Sequence, residues 1–218
     1  MRIEKCNLLG SPYVGIFASL ADKVGLFSHS LTARDLKKFE EIFQVEIIKT
    51  SLAGSALLGV LCRGNKQGFL LPSIAEPREI KSLMEQGLKV KQIGLTAIGN
   101  LLAFNDEIGF ASEIIGEKTV KEIESFLKIK LVRRNLADIE ITGSCLLATN
   151  KGFIVNPNVS EQEFALIEKT FGLKGIATTA NYGDPFVSNN VLANSSGVIA
   201  GLNTSGPEMV RIDEALVR

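Results

Sequence analysis

The sequence predicts an α/β ring of five repeats of about 43 residues, and three observations carry that prediction. Glycines that precede a second strand recur at Gly25, Gly68, Gly109, Gly152 and Gly197, spaced 43, 41, 43 and 45 residues apart. Self-similarity at such a period marks a propeller, solenoid or ring, and it fits the 218 residues about five times. Behind each glycine lies a helix-start signature and then apolar residues at helical spacing, which separates the chain from an all-β propeller. Residues 1–6 form an orphan strand ahead of the first hairpin, while the last repeat ends without one. The expected organisation is one domain of repeats 7–50, 51–94, 95–135, 136–179 and 180–218, with strand 1–6 closing the ring and removing its exposed edges.

The repeating unit is clearest over residues 53–72. A small-residue lead-in, Ala53-Gly54-Ser55, precedes an apolar run over 56–62. The polar stretch Arg63-Gly64-Asn65-Lys66-Gln67-Gly68 carries Gly and Asn where a hairpin turn needs positive φ. A second apolar run stops at Pro72, so a doubly buried β-hairpin is expected. Asn stands shortly before the glycine again at Asn105, Asn150 and Asn194, and Pro157 ends a second strand as Pro72 does. Thr32-x-x-Asp35, Thr119-x-x-Glu122, Ser160-x-x-Glu163 and Ser205-x-x-Glu208 read as capping boxes or close variants, and Pro77 suits the first turn of the remaining helix. The stripes that follow are each one face wide: Leu36, Phe39, Ile42, Phe43; Ile80, Leu83, Met84; Val120, Ile123, Phe126, Leu127; Phe164, Ile167, Phe171; Met209, Ile212, Leu216. Short strands are expected after four of the helices, at 45–50, 90–95, 129–132 and 175–178.

With 45% hydrophobic residues the chain can bury one sizeable core, about 70% of its unfolded surface. Basic and acidic residues both number 24, so no global field draws the protein to a polyanion and any RNA contact is local. Three cysteines, Cys6, Cys62 and Cys145, lie in or beside apolar runs, as reduced core thiols of a cytoplasmic protein do. Residues 8–21 loosely imitate a secretory signal, but Glu4 and the Gly10-Ser11-Pro12 break argue against one. No stretch approaches 18 uninterrupted apolar residues, which excludes a helical membrane span.

Chemistry-bearing residues are sparse. The one histidine, His29, cannot build a multi-His metal site and reads as a surface or strand-end residue. A nucleophilic Cys needs a base beside it, whereas Cys62 and Cys145 occupy similar places inside apolar strands of different repeats and read as core packing. Turns 64–68 and 181–185 match no nucleotide fingerprint, the first lacking both the G-K-[ST] ending and a following helix. No cofactor or metal is expected. The Pro185-Phe186 step offers an aromatic at a loop as a partner anchor. The basic run 128–134 alternates as a half-solvated strand does, and it, or Arg63 with Lys66, could touch phosphates without reading sequence.

Segments 51–72, 95–105, 136–157 and 181–201 resemble the translation initiation factor 6 family in its archaeal form, and the likeness covers nearly the whole chain. The resemblance implies a pentein fold, a five-fold pseudosymmetric ring with a small central channel. It implies binding to the large (50S) ribosomal subunit, through ribosomal proteins and rRNA near the subunit interface, so that the small subunit cannot join. It places Gly15, Ser19, Val60, Asn100, Cys145, Asp184 and Phe186 on or near the ribosome-facing rim, where the first strands begin. Gly99-Asn100 matches the family pattern, and the amide either bonds a partner or caps a local turn. Ending at Arg218 and carrying Leu8-Leu9-Gly10-Ser11-Pro12, the chain departs from eukaryotic members, so regulation through a phosphorylated tail is not expected. The implied protein is a cytoplasmic monomer that acts sterically, contacts neither free DNA nor membrane, and is released by a GTPase-driven agent; a role in large-subunit biogenesis stays open. The rival is an enzyme acting on a guanidino substrate, as arginine deiminases and amidinotransferases of the same architecture do, but one histidine counts against it. A sliding ring on nucleic acid is opposed by net neutrality and a narrow channel.

Overall fold

The computed structural model describes residues 2–217; Met1, assigned above to the closing strand, and Arg218, the last residue of the fifth repeat, lie outside the described residues. The described residues form five three-stranded sheets arranged as a pentein ring. In the first, β2 (Ala18–Leu20), β3 (Val24–Ser28) and β4 (Glu46–Thr50) enclose α1 (Ala33–Phe43). The second holds β5 (Arg63–Asn65), β6 (Gly68–Leu71), α3 (Pro77–Glu85) and β7 (Val90–Gln92). The third holds β8 (Leu102–Phe104), β9 (Ile108–Ala111), α5 (Glu117–Leu127) and β10 (Lys130–Arg133). The fourth holds β11 (Leu146–Ala148), β12 (Phe153–Val155), α7 (Glu161–Phe171) and β13 (Gly175–Ala177). The fifth joins β14 (Val191–Ala193) and β15 (Gly197–Gly201), which lead into α9 (Gly206–Leu216), with β1 (Arg2–Cys6) from the start of the chain.

Each sheet has one pattern: an antiparallel hairpin whose second strand pairs in parallel with a third, in four sheets across the intervening helix. In the fifth, β1 lies parallel to β15, with Arg2 opposite Gly197 and Cys6 opposite Gly201. The long helices pack their apolar stripes into the seams between neighbouring sheets, α1 against β15, α5 against β6, α7 against β9 and α9 against β12 and β13, giving five core clusters. In the first, Phe27 and Phe39 stack with ring centroids 5.3 Å apart among Leu36, Ile42 and Phe43. Met84 departs from the expected stripe, standing 60% exposed, while Leu83 and partly buried Ile80 pack into the core from α3.

Two local expectations are corrected. Residues 56–62 are not a strand: the chain makes one helical turn, α2 (Leu58–Leu61), and the hairpin begins only at Arg63, with Lys66-Gln67 as its turn. Thr119 is not an N-cap either; the N-cap of α5 is Gly116, three residues earlier. The remaining starts stand as N-caps: Thr32 accepts from the Asp35 amide, Ser160 and Ser205 form full capping boxes with Glu163 and Glu208, and Pro77 opens α3.

Candidate partner-binding face

The helical turn that displaced the expected strand recurs in every repeat: a 3-10 turn at Val14–Ile16, α2, α4 (Ile98–Leu101), α6 (Thr142–Cys145) and α8 (Val187–Asn190). These five turns touch one another in a closed circuit around the axis. Their sequences, V-G-I, L-G-V-L, I-G-N-L, T-G-S-C and V-S-N-N, explain the circuit. A Cβ on Gly59 would overlap the Gly15 carbonyl oxygen, one on Gly99 that of Gly59, one on Gly143 that of Gly99, and one on Gly15 that of Ser188. Glycine is required at these four positions because the backbone of the neighbouring turn occupies the place of a Cβ, while the fifth turn carries Ser188 there.

One residue precedes each turn, and its backbone repeats around the ring: Tyr13, Leu57, Ala97, Ile141 and Phe186 have φ between −80° and −99° and ψ between 53° and 68°. All five are apolar or aromatic. Tyr13 and Leu57 are 43% and 38% exposed, and the other three are half-buried. Nearby Leu9 is exposed, and so is Tyr182, at 79%. Periodicity alone missed four of these residues because the apolar run 56–62 looked like a strand interior; aligning the turn glycines of the first strands would have exposed the pattern.

Loops ahead of the turns are held by carboxylates from the long helices. Glu79 accepts from the Ala53 and Gly54 amides at 2.8 and 3.2 Å, Glu163 from Ala137 at 3.1 Å, and Glu208 from Gly183 at 2.9 Å and the Thr179 hydroxyl at 2.7 Å. Ala53, Ala137 and Tyr182 have positive φ, a conformation that costs a non-glycine residue energy and that these bonds hold in place. Burial pushes the Glu208 pKa up, but donation from Thr179, Ser205 and Gly183 outweighs it and sets the value at about 2. The same contest lowers Glu79 and Glu163.

The candidate residues from the sequence fall into different settings. Gly15 is buried in the circuit of turns. Ser19 is buried, donating to the Cys62 carbonyl at 3.2 Å. Val60 is half-buried on α2, and half-buried Asn100 on α4 accepts from the Ser144 hydroxyl at 3.2 Å, tying two neighbouring turns. Cys145 is buried at the end of α6, within reach of the Asn156 amide at 3.8 Å. Asp184 closes the loop before α8 and caps the Phe186 amide at 2.8 Å, so its place is one loop earlier than that of Gly15. Arg63 and Lys66 separate: Lys66 is exposed at the hairpin tip, whereas Arg63 lies on the wall of the axial channel.

The hairpin tips form the opposite end. Asn65, Asn105 and Asn194 each accept from the amide two residues on, and Asn65 and Asn194 donate across the repeat boundary to Leu127 and Phe43 carbonyls at the ends of neighbouring long helices. In the fourth repeat this role falls to Thr149, one residue before the expected Asn150. Asn150 instead donates to Asp22 at 2.8 Å and Asp106 at 2.9 Å across the channel mouth.

Burial raises the thiols to about 12 for Cys62 and about 11 for Cys6 and Cys145, so each is held protonated at neutral pH. His29 is exposed. Among the described residues no group of three or more His, Cys, Asp or Glu could hold a metal ion, and no helix is long and apolar enough to cross a membrane.

What the geometry defines is a pentein ring with an apolar residue ahead of each short turn. A model described as the eIF-6 family matches residues 3–215, and the chain belongs to that family. Curated relatives carry the name Translation initiation factor 6. Those of Pyrococcus horikoshii and Pyrococcus abyssi are each 34% identical to this chain, over 99% of both sequences. That of Methanosarcina acetivorans is 32% identical over 98% of both. Among solved structures, a C. jejuni agmatine deiminase aligns with a TM-score of 0.38 and 14% identity over 56% of this chain and 50% of that one.

Proposed function

We propose that this chain acts in translation initiation as a factor that binds the large ribosomal subunit through the rim of short helical turns and excludes the small subunit by occupying its space. Family membership supports the ribosome as partner, and the circuit of apolar residues at Tyr13, Leu57, Ala97, Ile141 and Phe186 is the observation that carries the choice of rim. An apolar, aromatic-containing patch on a rigid frame binds with little ordering cost. Val60, Asn100, Asp184 and Phe186 contribute side-chain surface there; Gly15, Ser19 and Cys145 set the frame beneath. No chemical step is required, and the cytoplasm is the place of action.

The test is co-sedimentation of the purified protein with separated archaeal ribosomal subunits at two salt concentrations, alongside Phe186→Ala and Asn100→Lys. Binding to the large subunit alone, weakened by both changes and preventing subunit joining, is the expected result. Equal binding to both subunits, or none, would overturn the proposal.

A further inference from the structure

The axial channel is pinched midway by one residue from each repeat, Leu20, Gly64, Phe104, Ala148 and Ala193, which border the cavities on both sides. On the side of the short turns this leaves a cavity of about 30 Å³. Among the residues on its wall, only Arg63 and Ser188 carry polar side chains. Arg63 is the only charged residue on that wall, and it forms no hydrogen bond or ion pair with another described residue. Ser188 is 7% exposed, and its hydroxyl likewise has no partner among the described residues. Yet no fully enclosed side-chain nitrogen or oxygen is left unsatisfied, so both groups keep access to the cavity space.

We propose that this cavity is a binding site for one small monovalent anion of the halide class, held by Arg63 and Ser188. The guanidinium can only donate, and the hydroxyl has its donor free, so the two together call for an acceptor. A confined positive charge without a protein partner is stabilised by an opposite charge beside it, and burial already draws the Arg63 pKa down to about 10. The narrow cavity suits a small spherical anion better than a larger tetrahedral oxyanion. The site lies below the rim and does not depend on the ribosomal reading.

Calorimetric melting of the whole chain at constant ionic strength tests this, with sodium gluconate exchanged stepwise for chloride or for sulfate. The expected result is a saturable rise in midpoint with chloride, of the form given by ligand linkage, and none with sulfate. Arg63→Gln should abolish the rise, Ser188→Ala should move it to higher chloride, and Arg63→Lys should preserve it. An equal rise in Arg63→Gln, or an equal rise with sulfate, would show ordinary salt stabilisation and overturn the proposal. Crystals of the unaltered protein grown in bromide decide independently of any variant. An anomalous peak beside Arg63 supports the site, and a cavity without one refutes it.

Discussion

The demand on individual residues is heaviest at the glycines of the short turns. Gly99 has no room for a methyl group because the Gly59 carbonyl already occupies the place. Gly99→Ala should therefore cost about 1–3 kcal/mol, as overpacking of a core does, and lower the melting midpoint by roughly 2–12 °C in a chain of this size. Gly94 has nothing within 4 Å of a built Cβ, so Gly94→Ala should leave the midpoint unchanged or slightly higher. Scanning calorimetry on the pair separates the two cases. Single-residue roles were the least legible part of the sequence. Asn65 and Asn194 stood out as turn residues, but their bonds to Leu127 and Phe43 join segments 62 and 151 residues apart. Nothing local encodes that. Arg63 looked like a tip residue for the same reason: its position relative to the axis depends on where the strand begins.

At the scale of the element, long helices were readable and short turns were not. Capping residues and one-face stripes determine a helix by local chemistry, so α1, α7 and α9 start at the residues expected. A four-residue turn has too few positions for periodicity to distinguish it from a strand, and only the backbone packing of its neighbours decides. The carboxylates at the helix starts lead to a pH prediction. The folded pKa of Glu208 is below its ordinary value of 4.5, at about 2. Its contribution is therefore complete above about pH 4.5 and is lost as the pH falls towards 2. Urea unfolding at pH 7, 4 and 3 should show a steeper acid loss in the unaltered protein than in Glu208→Gln. The apolar residues before the turns give a second test. Leu57→Asp alters a side chain that is 38% exposed, so the melting midpoint should fall only modestly, while co-sedimentation with the large subunit should weaken at least tenfold.

For the whole molecule, the repeat and its period were legible because five copies average out the ambiguity of any one of them. The channel was not, since its waist takes one unremarkable residue from each repeat. Deleting residues 2–6 would leave β15 with an open edge and remove the Lys5 bond to the Thr204 carbonyl at 2.9 Å. The shortened chain should melt at a lower temperature and elute partly as aggregate in size-exclusion chromatography, whereas the unaltered chain should elute as a monomer.

The pairing of β1 with β15 also sets a timetable. Its partners are residues 2–6 and 197–201, so β1 is synthesised long before the strand it pairs with. At about 5–20 residues per second, β1 spends on the order of 10–40 s without a neighbour. During that interval the earlier blades can form from nearby segments, but the closing blade cannot. Its assembly is a late, non-local and therefore slow event, and a newborn chain stays open at one seam until residues 197–201 have been made.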